Sequence, residues 1–306
     1  MKLHFLGTGA GVPSKPRNVS SLMLKLLDES NEMWMFDCGE ATQQQILRTT
    51  LKPRKVSKIF ITHLHGDHVY GLPGFLSSRS FQGGDEKLTI YGPKGIKNYI
   101  ETSLKITGTI LGYPLEIIEL EKKGVAFENK QYRVTYDTLV HAVPTYGFRI
   151  EESDHPGELL VDKAHEAGVP NGPLLGRLKN RETITLEDGT VLDGNDFIGE
   201  DKPGRRVTIL GDTRYCTQAV NLAQDVDVLV HEATFEAGEE KMARNYYHST
   251  AAQAAQVAHK AHVKQLYLNH ISARYVGNKA KQLQKDARLI FKSTDIVYDF
   301  DEFEIE

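Results

Sequence analysis

Three histidines and an aspartate stand within six positions of one another, directly after the apolar run 59–61. His63 and His65 are two residues apart, so in an extended strand they project to the same side. The glycine that follows lets the chain turn sharply and bring Asp67 and His68 in from the start of a helix. Imidazole nitrogens and carboxylate oxygens at this range suit zinc, and four of them can serve one ion or contribute to two. The cluster predicts a metal site in preference to unrelated surface or core histidines.

Further histidines and acids stand where later strands are predicted to end. Strands expected over 132–140, 206–212, 226–232 and 264–270 finish on or beside His141, Asp212, Glu232 and His270. Asp37 closes an earlier strand, where it either orients a ligand imidazole or caps the next helix. His248 precedes a helix capped by Ser249 or Thr250, whose N-terminus is expected to lower the pKa of this imidazole slightly. Taken alone, His248 is better explained by a structural role.

Strands and helices alternate along the chain, which is typical of an α/β fold. The sequence predicts a hairpin of strands over 21–27 and 33–37, a helix over 41–47 and an alanine-rich helix over 251–261. A glycine-rich loop, 7–11, follows the first strand. It lacks the Gly-Lys-Ser/Thr continuation of a phosphate-binding loop, which argues against a nucleotide-binding fold.

The segment from about 151 to 204 differs from the rest of the chain. It is rich in glycine, proline and acids, with weak periodicity and few large apolar residues. We interpret it as an insertion and not as an independent domain, and composition alone favours a solvated loop. Its cations Arg177 and Lys179 stand beside turn-forming residues and could face a polyanion. The loop 13–18 carries two more cations and is equally well explained as an exposed turn.

Composition sets limits on class and location. The chain has 306 residues, of which 40% are hydrophobic and 25% charged, as expected of a globular protein of one or two domains. Its net charge of −4 argues against an overall polyanion-binding surface. Cys38 and Cys216 are too far apart in sequence to suggest a disulfide framework. With no run of about 20 apolar residues and no signal-peptide pattern, a cytoplasmic location without membrane contact is the expectation.

The order of these motifs resembles the metallo-β-lactamase superfamily of two-metal hydrolases. The resemblance implies an α/β fold, a four-layer αββα sandwich, in a single domain over 1–306 with 151–204 as an inserted flexible arm. It also implies two zinc ions per subunit. One would be held by His63, His65 and His141, the other by Asp67, His68 and His270, with Asp212 bridging them.

Three motifs make the chain more similar to one family of that superfamily, the ribonuclease Z family: Pro-x-Lys-x-Arg-Asn at 13–18, His-Glu-Ala-Thr at 231–234 and His-Ser-Thr at 248–250. The resemblance implies a zinc-dependent endoribonuclease that removes the 3′ trailer from precursor tRNA. Hydroxide generated by the metals would attack the phosphodiester and leave a 3′-hydroxyl on the tRNA and a 5′-phosphate on the trailer. Asp67 would accept a proton, His248 would donate one to the departing ribose oxygen, and Glu232 would orient His248.

The resemblance also implies contacts with substrate. Lys15 and Arg17 would lie near the 3′ end of the tRNA, and Arg177 and Lys179 of the arm would hold its body. A homodimer is expected, in which the arm of one subunit holds the tRNA that the other cuts. Two alternatives stay open: a small-molecule hydrolase with the same metal ligands, and a non-catalytic RNA-binding protein with structural zinc. The residues do not distinguish zinc from manganese.

Overall fold

The structure, a computed structural model, describes residues 1–306 and contains eighteen β-strands and ten α-helices. The strands are β1 (Lys2–Gly7), β2 (Gly9–Ala10), β3 (Ser21–Leu26), β4 (Glu32–Phe36), β5 (Val56–Phe60), β6 (Leu88–Gly92), β7 (Leu115–Glu119), β8 (Lys123–Glu128), β9 (Tyr132–Thr138), β10 (Tyr146–Glu152), β11 (Ile184–Thr185), β12 (Val191–Leu192), β13 (Arg206–Leu210), β14 (Val228–Glu232), β15 (Gln265–Asn269), β16 (Ile271–Ser272), β17 (Thr294–Ile296) and β18 (Glu302–Glu304). The helices are α1 (Thr42–Leu47), α2 (Gly66–Val69), α3 (Leu72–Phe81), α4 (Ile96–Ile106), α5 (Val161–Glu166), α6 (Pro173–Lys179), α7 (Thr217–Leu222), α8 (Glu240–Asn245), α9 (Ala251–Lys260) and α10 (Asn278–Arg288).

Two seven-stranded sheets form the larger of the two compact units of the chain, which comprises 1–151 and 206–306. The first sheet has the order β18-β1-β3-β4-β5-β6-β7 and the second the order β17-β15-β14-β13-β10-β9-β8. The predicted hairpin is confirmed, since β3 and β4 pair antiparallel. From β4 to β7 and from β13 to β17 the neighbouring strands are parallel, so their carboxyl ends share an edge.

Three clusters of buried apolar residues show how the layers are stacked. Along β4, Trp34 and Phe36 face the second sheet, while the alternate residues Met33 and Met35 pack under α1, α3 and α4. Phe60 of the first sheet lies 5.3 Å, ring to ring, from a phenylalanine of β10 in the second. A third cluster covers the outer face of the second sheet with α7, α9 and α10. The layers are therefore helix, sheet, sheet, helix, as the family resemblance implies.

The predicted alanine-rich helix is α9, and its start is fixed by a capping box. Thr250 accepts a hydrogen bond from the Gln253 amide, and the Gln253 side chain bonds the Thr250 amide in return. Thr250, and not Ser249, is thus the cap, and this holds His248 at a defined distance before the helix. None of the helices combines the length and apolar character that crossing a membrane requires.

Residues 152–205 form the second compact unit. It contains α5, α6 and the short hairpin of β11 and β12, around a small core of five buried residues: Ala164, Val169, Leu178, Ile184 and Phe197. This corrects the expectation of a solvated loop. Apolar residues too sparse to give a periodic pattern still meet once short helices and a hairpin bring them together.

Candidate metal centre

The predicted ligands lie at, or shortly after, the carboxyl ends of strands in both sheets. His63 and His65 follow β5, and Asp67 and His68 belong to α2 immediately behind them. The remaining ligands follow β9, β13 and β15, in the order His141, Asp212 and His270. Because these strand ends share one edge of the sandwich, segments more than a hundred residues apart in sequence supply a single site.

Three imidazoles form the first group of converging atoms. His65 Nδ1 lies 3.1 Å from His63 Nε2 and 3.2 Å from His141 Nε2. All three nitrogens lie within 4.8 Å of one another, a spacing at which one cation can be shared. The structure thus brings together the three histidines that the resemblance assigns to one ion.

The second group combines a carboxylate with two imidazoles. Asp67 Oδ2 lies 3.3 Å from His270 Nε2 and 3.5 Å from His68 Nε2. Asp212 stands between the groups, because its Oδ2 is 3.6 Å from His63 Nε2 of the first and 3.3 Å from His270 Nε2 of the second. Asp212 is therefore placed where a bridging ligand would have to be.

Four of the imidazoles are held through the ring nitrogen that points away from the centre. Such outer bonds fix the ring orientation and leave the inner nitrogen available to a metal. The partners are Asp37 Oδ2 for His68 (2.7 Å), Thr234 Oγ1 for His270 (2.9 Å), the Tyr247 carbonyl for His141 (2.7 Å) and Thr62 Oγ1 for His63 (3.0 Å). Asp37 thus orients a predicted ligand, one of the two roles left open for it by the sequence.

Electrostatics favours the ligand forms of His63 and Asp212, and it places a proton on His68. Burial and the neighbouring His68 hold the pKa of His63 well below its usual range. Burial alone would raise the pKa of Asp212, but the surrounding histidines hold it well below the usual range. For His68, the carboxylates of Asp212 and Asp37 outweigh the lowering effect of burial and raise the pKa well above its usual value. A divalent cation would replace the proton on His68 Nε2, which faces Asp67 and Asp212, while Nδ1 keeps its bond to Asp37, so the donor set fits zinc.

His248 lies beside the ligands with a carboxylate partner of its own. Its Nδ1 is 2.8 Å from Glu232 Oε1 and 3.9 Å from Asp212 Oδ2. Burial would lower the pKa of His248, yet the Glu232 carboxylate raises it to about 9. The expectation of a slightly lowered pKa was therefore wrong, because a full negative charge at hydrogen-bond distance exceeds the partial charge of a helix end.

Backbone geometry at the site is unusual and is fixed by packing. Asp37 and His270 both have positive φ, 57° and 54°, a conformation that costs a non-glycine residue free energy. Before Asp212, the chain needs Gly211, because a Cβ there would stand 2.6 Å from the Thr62 Cβ. At these positions the segments that follow β4, β5, β13 and β15 lie closely against one another.

The structure separates the two cations of the loop 13–18. Lys15 is exposed, as a substrate contact requires. Arg17 is only 2% exposed, and its Nη1 donates to Thr8 Oγ1 (2.6 Å) and to the Val297 carbonyl (2.5 Å). The guanidinium of Arg17 is therefore buried and hydrogen-bonded within the protein. The prediction of a direct substrate contact by Arg17 is corrected to a structural role.

The two cations predicted in the insertion lie on α6, and both are exposed. Arg177 donates from Nε to Glu182 Oε2 (3.0 Å) and from Nη2 to the Thr183 carbonyl (3.1 Å). Leu178 between them is buried in the small core of this unit. The two cations therefore reach solvent on opposite flanks of the buried Leu178.

Sequence reasoning missed several residues that hold the site. Thr62 stands next to His63, and a hydroxyl beside a predicted ligand is the signal that could have identified it. Thr234 belongs to the His-Glu-Ala-Thr motif but was given no role. The amide of Gly11 donates to Asp67 Oδ2 (2.8 Å), and the Tyr247 carbonyl accepts from His141. Backbone partners of this kind leave no mark on the residue type.

Known proteins resemble the chain over its whole length. Residues 1–152 match the family described as "Anti-Pycsar protein Apyc1", and residues 197–271 match the "Beta-lactamase superfamily domain". A protein named Ribonuclease Z from Limosilactobacillus fermentum is 60% identical over 305 residues, which cover 100% of this chain and 98% of that protein. Another of that name, from Latilactobacillus sakei, is also 60% identical over the same shares of the two chains.

Solved structures agree with these relatives. Human tRNase Z, short form, superposes with a TM-score of 0.71 at 28% identity and covers 100% of both chains. The metallo-β-lactamase fold protein YhfI from Bacillus subtilis reaches a TM-score of 0.68 at 18% identity, over 99% of this chain and 98% of that one, which speaks for the fold alone. The predicted fold class is confirmed. The chain belongs to the ribonuclease Z family of the metallo-β-lactamase superfamily.

Proposed function

We propose that this protein is a zinc-dependent endoribonuclease that removes the 3′ trailer from precursor tRNA. The observation that carries the proposal is the convergence of seven nitrogen and oxygen ligands next to His248, which has its own carboxylate partner. Relatives 60% identical over the full length bear the name Ribonuclease Z. A purely structural zinc site needs neither an adjacent histidine–carboxylate pair nor seven donors.

Two zinc ions would occupy the two groups of donors. His63, His65 and His141 would hold one ion, and Asp67, His68 and His270 would hold the other, with Asp212 shared between them. When bound, the ions supply Lewis acidity, which lowers the pKa of water and offsets charge on the scissile phosphate. Imidazole nitrogens make up most of the donor set, which suits zinc.

Two side chains of this site would move the protons of the reaction. Asp67 would accept the proton of the attacking water, because its Oδ2 faces the ligand nitrogens and is held there by the Gly11 amide. His248 would donate a proton to the departing ribose oxygen. Its Nδ1 is engaged with Glu232, which leaves Nε2 for the leaving group. Cleavage by water, without the ribose 2′-hydroxyl, leaves a 3′-hydroxyl on the tRNA and a 5′-phosphate on the trailer.

Exposed cations would hold the RNA. Lys15 would contact phosphate near the 3′ end, and Arg177 and Lys179 of the unit 152–205 would contact phosphates of the tRNA body. We assign this unit as the substrate-binding arm, since exposed cations on its α6 are the feature that a phosphate backbone recognises.

A homodimer and a cytoplasmic location belong to the same proposal. Leu47 on α1 and Phe81 on α3 are 72% and 88% exposed, on helices that meet where Ser78 donates to Gln43. Exposed apolar side chains on adjacent helices fit an interface between two copies. Both cysteines are free thiols, which agrees with a reducing compartment.

The test is cleavage of a defined precursor tRNA by the purified protein, with and without a zinc chelator, followed by sequencing of the product ends. We expect a mature 3′-hydroxyl end and a 5′-phosphorylated trailer, with loss of cleavage in chelator and recovery on addition of zinc. Hydrolysis of small phosphodiesters or thioesters without tRNA cleavage would point to a small-molecule hydrolase. Binding of tRNA without any cleavage would point to the RNA-binding alternative.

A further inference from the structure

One carboxylate near the end of the chain gathers the loops that lie beside the metal centre. Asp299 Oδ1 accepts hydrogen bonds from the amide (3.0 Å) and the hydroxyl (2.7 Å) of Thr8. Its Oδ2 accepts from the Asn18 amide (2.6 Å) and from Gln45 Nε2 (2.9 Å). Four donors from three separate segments therefore meet on a single side chain, and neither oxygen is left to solvent alone.

Arg17 ties the same loops a second time. Its Nη1 donates both to Thr8 Oγ1 and to the Val297 carbonyl, and its guanidinium lies 4.4 Å from the centre of the Tyr298 ring. The segment 297–299 thus holds the start of the glycine-rich loop through Thr8 and the end of the loop 13–18 through Arg17. The two loops are fixed to a common support.

The glycine-rich loop 7–11 connects the segment 297–299 to Asp67 of the metal centre. The Thr8 carbonyl accepts from the Ile271 amide (2.9 Å), next to the ligand His270. Beyond Thr8, β2 pairs with β16, and the amide of Gly11 donates to Asp67 Oδ2 (2.8 Å). The position of that amide depends on Thr8, and Thr8 is anchored by Asp299.

We propose that Asp299 is a positioning residue for the cleavage reaction. By fixing Thr8 and Asn18 it places the Gly11 amide on Asp67, and so it sets the rotamer in which Oδ2 faces His68 and His270. The hydrogen-bond partners of Asp299 are Thr8, Asn18 and Gln45, and none of them is a metal ligand. The inference rests on the proposed function for its cleavage measurement, and a second measurement is independent of it.

Asp299→Asn is the informative substitution. An asparagine oxygen can still accept from Thr8, but its NH2 group would face the Asn18 amide and Gln45 Nε2, which are both donors. The exchange keeps the size of the side chain and breaks the hydrogen bonds on one side only. Asp295→Asn is the matched control, because Asp295 is also an acid near the chain end but pairs with Arg288 (2.7 Å).

Full-length, zinc-loaded protein is assayed with bis(p-nitrophenyl) phosphate and with precursor tRNA. We expect Asp299→Asn to lower kcat at least fivefold on both substrates, with the KM for the small phosphodiester and the zinc content changed less than twofold. Amide hydrogen exchange across residues 8–18 should become at least tenfold faster. Asp295→Asn should match the wild type in each measurement.

Unchanged exchange in 8–18 would overturn the anchoring role. Faster exchange with an unchanged kcat on the small substrate would overturn the link to Asp67. A wild type that does not cut tRNA while the exchange and small-substrate effects hold would contradict the proposed function and support this inference. If Asp299→Asn does not fold, Thr8→Val replaces it. This variant keeps the hydrogen bond from the backbone amide of residue 8 to Asp299 and loses the hydrogen bonds of the hydroxyl. We expect a twofold to fivefold loss of kcat, and an unchanged kcat would count against the proposal.

Discussion

Glu232 Oε1 and His248 Nδ1 lie 2.8 Å apart, and this bond joins two sequence motifs separated by sixteen positions. Glu232 also accepts from the amides of Thr213 (2.8 Å) and Ser249 (3.1 Å), so its carboxylate is fixed from several sides. The pair is thus held rigidly beside the predicted ligands.

The pair makes the stability of the metal-free protein depend on pH. The folded-state pKa of His248 is about 9, against an ordinary 6.5, so its stabilising effect is complete below pH 6.5 and is lost as pH rises through 9. In chelator, the wild type should be more stable than His248→Ala at pH 6. This difference in the free energy of unfolding should shrink by roughly 3 kcal/mol between pH 6 and pH 9.5. Urea unfolding at the two pH values measures this difference. His259→Ala on α9 serves as the control for the loss of a histidine elsewhere. An equal difference at both pH values would contradict the pairing.

Removal of Asp67 should separate binding from cleavage. Asp67→Ala takes away the proposed proton acceptor and one ligand but leaves the exposed cations untouched. We expect a loss of cleavage of at least a thousandfold, while the dissociation constant for precursor tRNA changes less than threefold. Single-turnover assays and filter binding measure the two quantities. Normal cleavage by this variant would show that the base is a different residue.

Asp37 should control metal affinity without being a ligand. Its carboxylate accepts from the Thr62 amide and hydroxyl, both at 2.8 Å, and from His68 Nδ1 at 2.7 Å. Asp37→Asn should weaken zinc binding about 10- to 100-fold, because the outer bond that orients His68 is lost. Competition with a chromogenic chelator measures the affinity, and Asp28→Asn in an exposed turn serves as control. Affinity like that of the wild type would rule out this orienting role.

The two cations of the loop 13–18 should behave differently. Lys15→Ala should raise the KM for precursor tRNA about three- to tenfold with an unchanged free energy of unfolding, as expected for an exposed phosphate contact. Arg17→Ala should lower the free energy of unfolding by roughly 2–4 kcal/mol, because Thr8 and the Val297 carbonyl lose a buried charged donor. Denaturant unfolding measures the stability of both variants, and steady-state kinetics measures their KM for precursor tRNA. A pure KM effect for Arg17→Ala would restore its assignment as a substrate contact.

The unit 152–205 should be needed for tRNA and not for the chemistry. His155 and Lys202 exchange two backbone hydrogen bonds of 2.9 Å, so residues 156–201 can be replaced by a short glycine–serine linker at that pair. The shortened protein should lose tRNA cleavage at least a hundredfold and keep hydrolysis of bis(p-nitrophenyl) phosphate within threefold. Arg177→Ala with Lys179→Ala in the full chain should show a weaker form of the same effect. Loss of both activities, or of neither, would count against the arm.

Alternating strands and helices were enough to predict an α/β fold, and residue type at predicted strand ends named the residues that converge at the site. The four-layer sandwich and the division of the ligands between two ions were implied by the family resemblance. Alternation along the strands marks which side chains face the second sheet, and the clustered histidines mark the edge where strands end. Contacts between residues far apart in the sequence could not be predicted in this way. Nothing in the sequence around Arg17 indicates that Asp299, 282 positions later, would share its partner Thr8, and so its burial was not predicted.

Competing electrostatic effects were also beyond sequence reasoning. Whether His248 gains or loses proton affinity depends on the distance to Glu232, and only the folded chain sets that distance. The second unit shows the same limit for packing, because Leu178 and Phe197 belong to no periodic run and still share a core.

The pairing of β1 with β18 has a consequence for the order of folding. Lys2–His4 gain their second neighbouring strand only when Glu302–Glu304 lie beside them, so this edge of the first sheet closes across a separation of about 300 positions. Contacts so distant in sequence form slowly, and the amides of this edge should be among the last of the sheet to become protected during refolding.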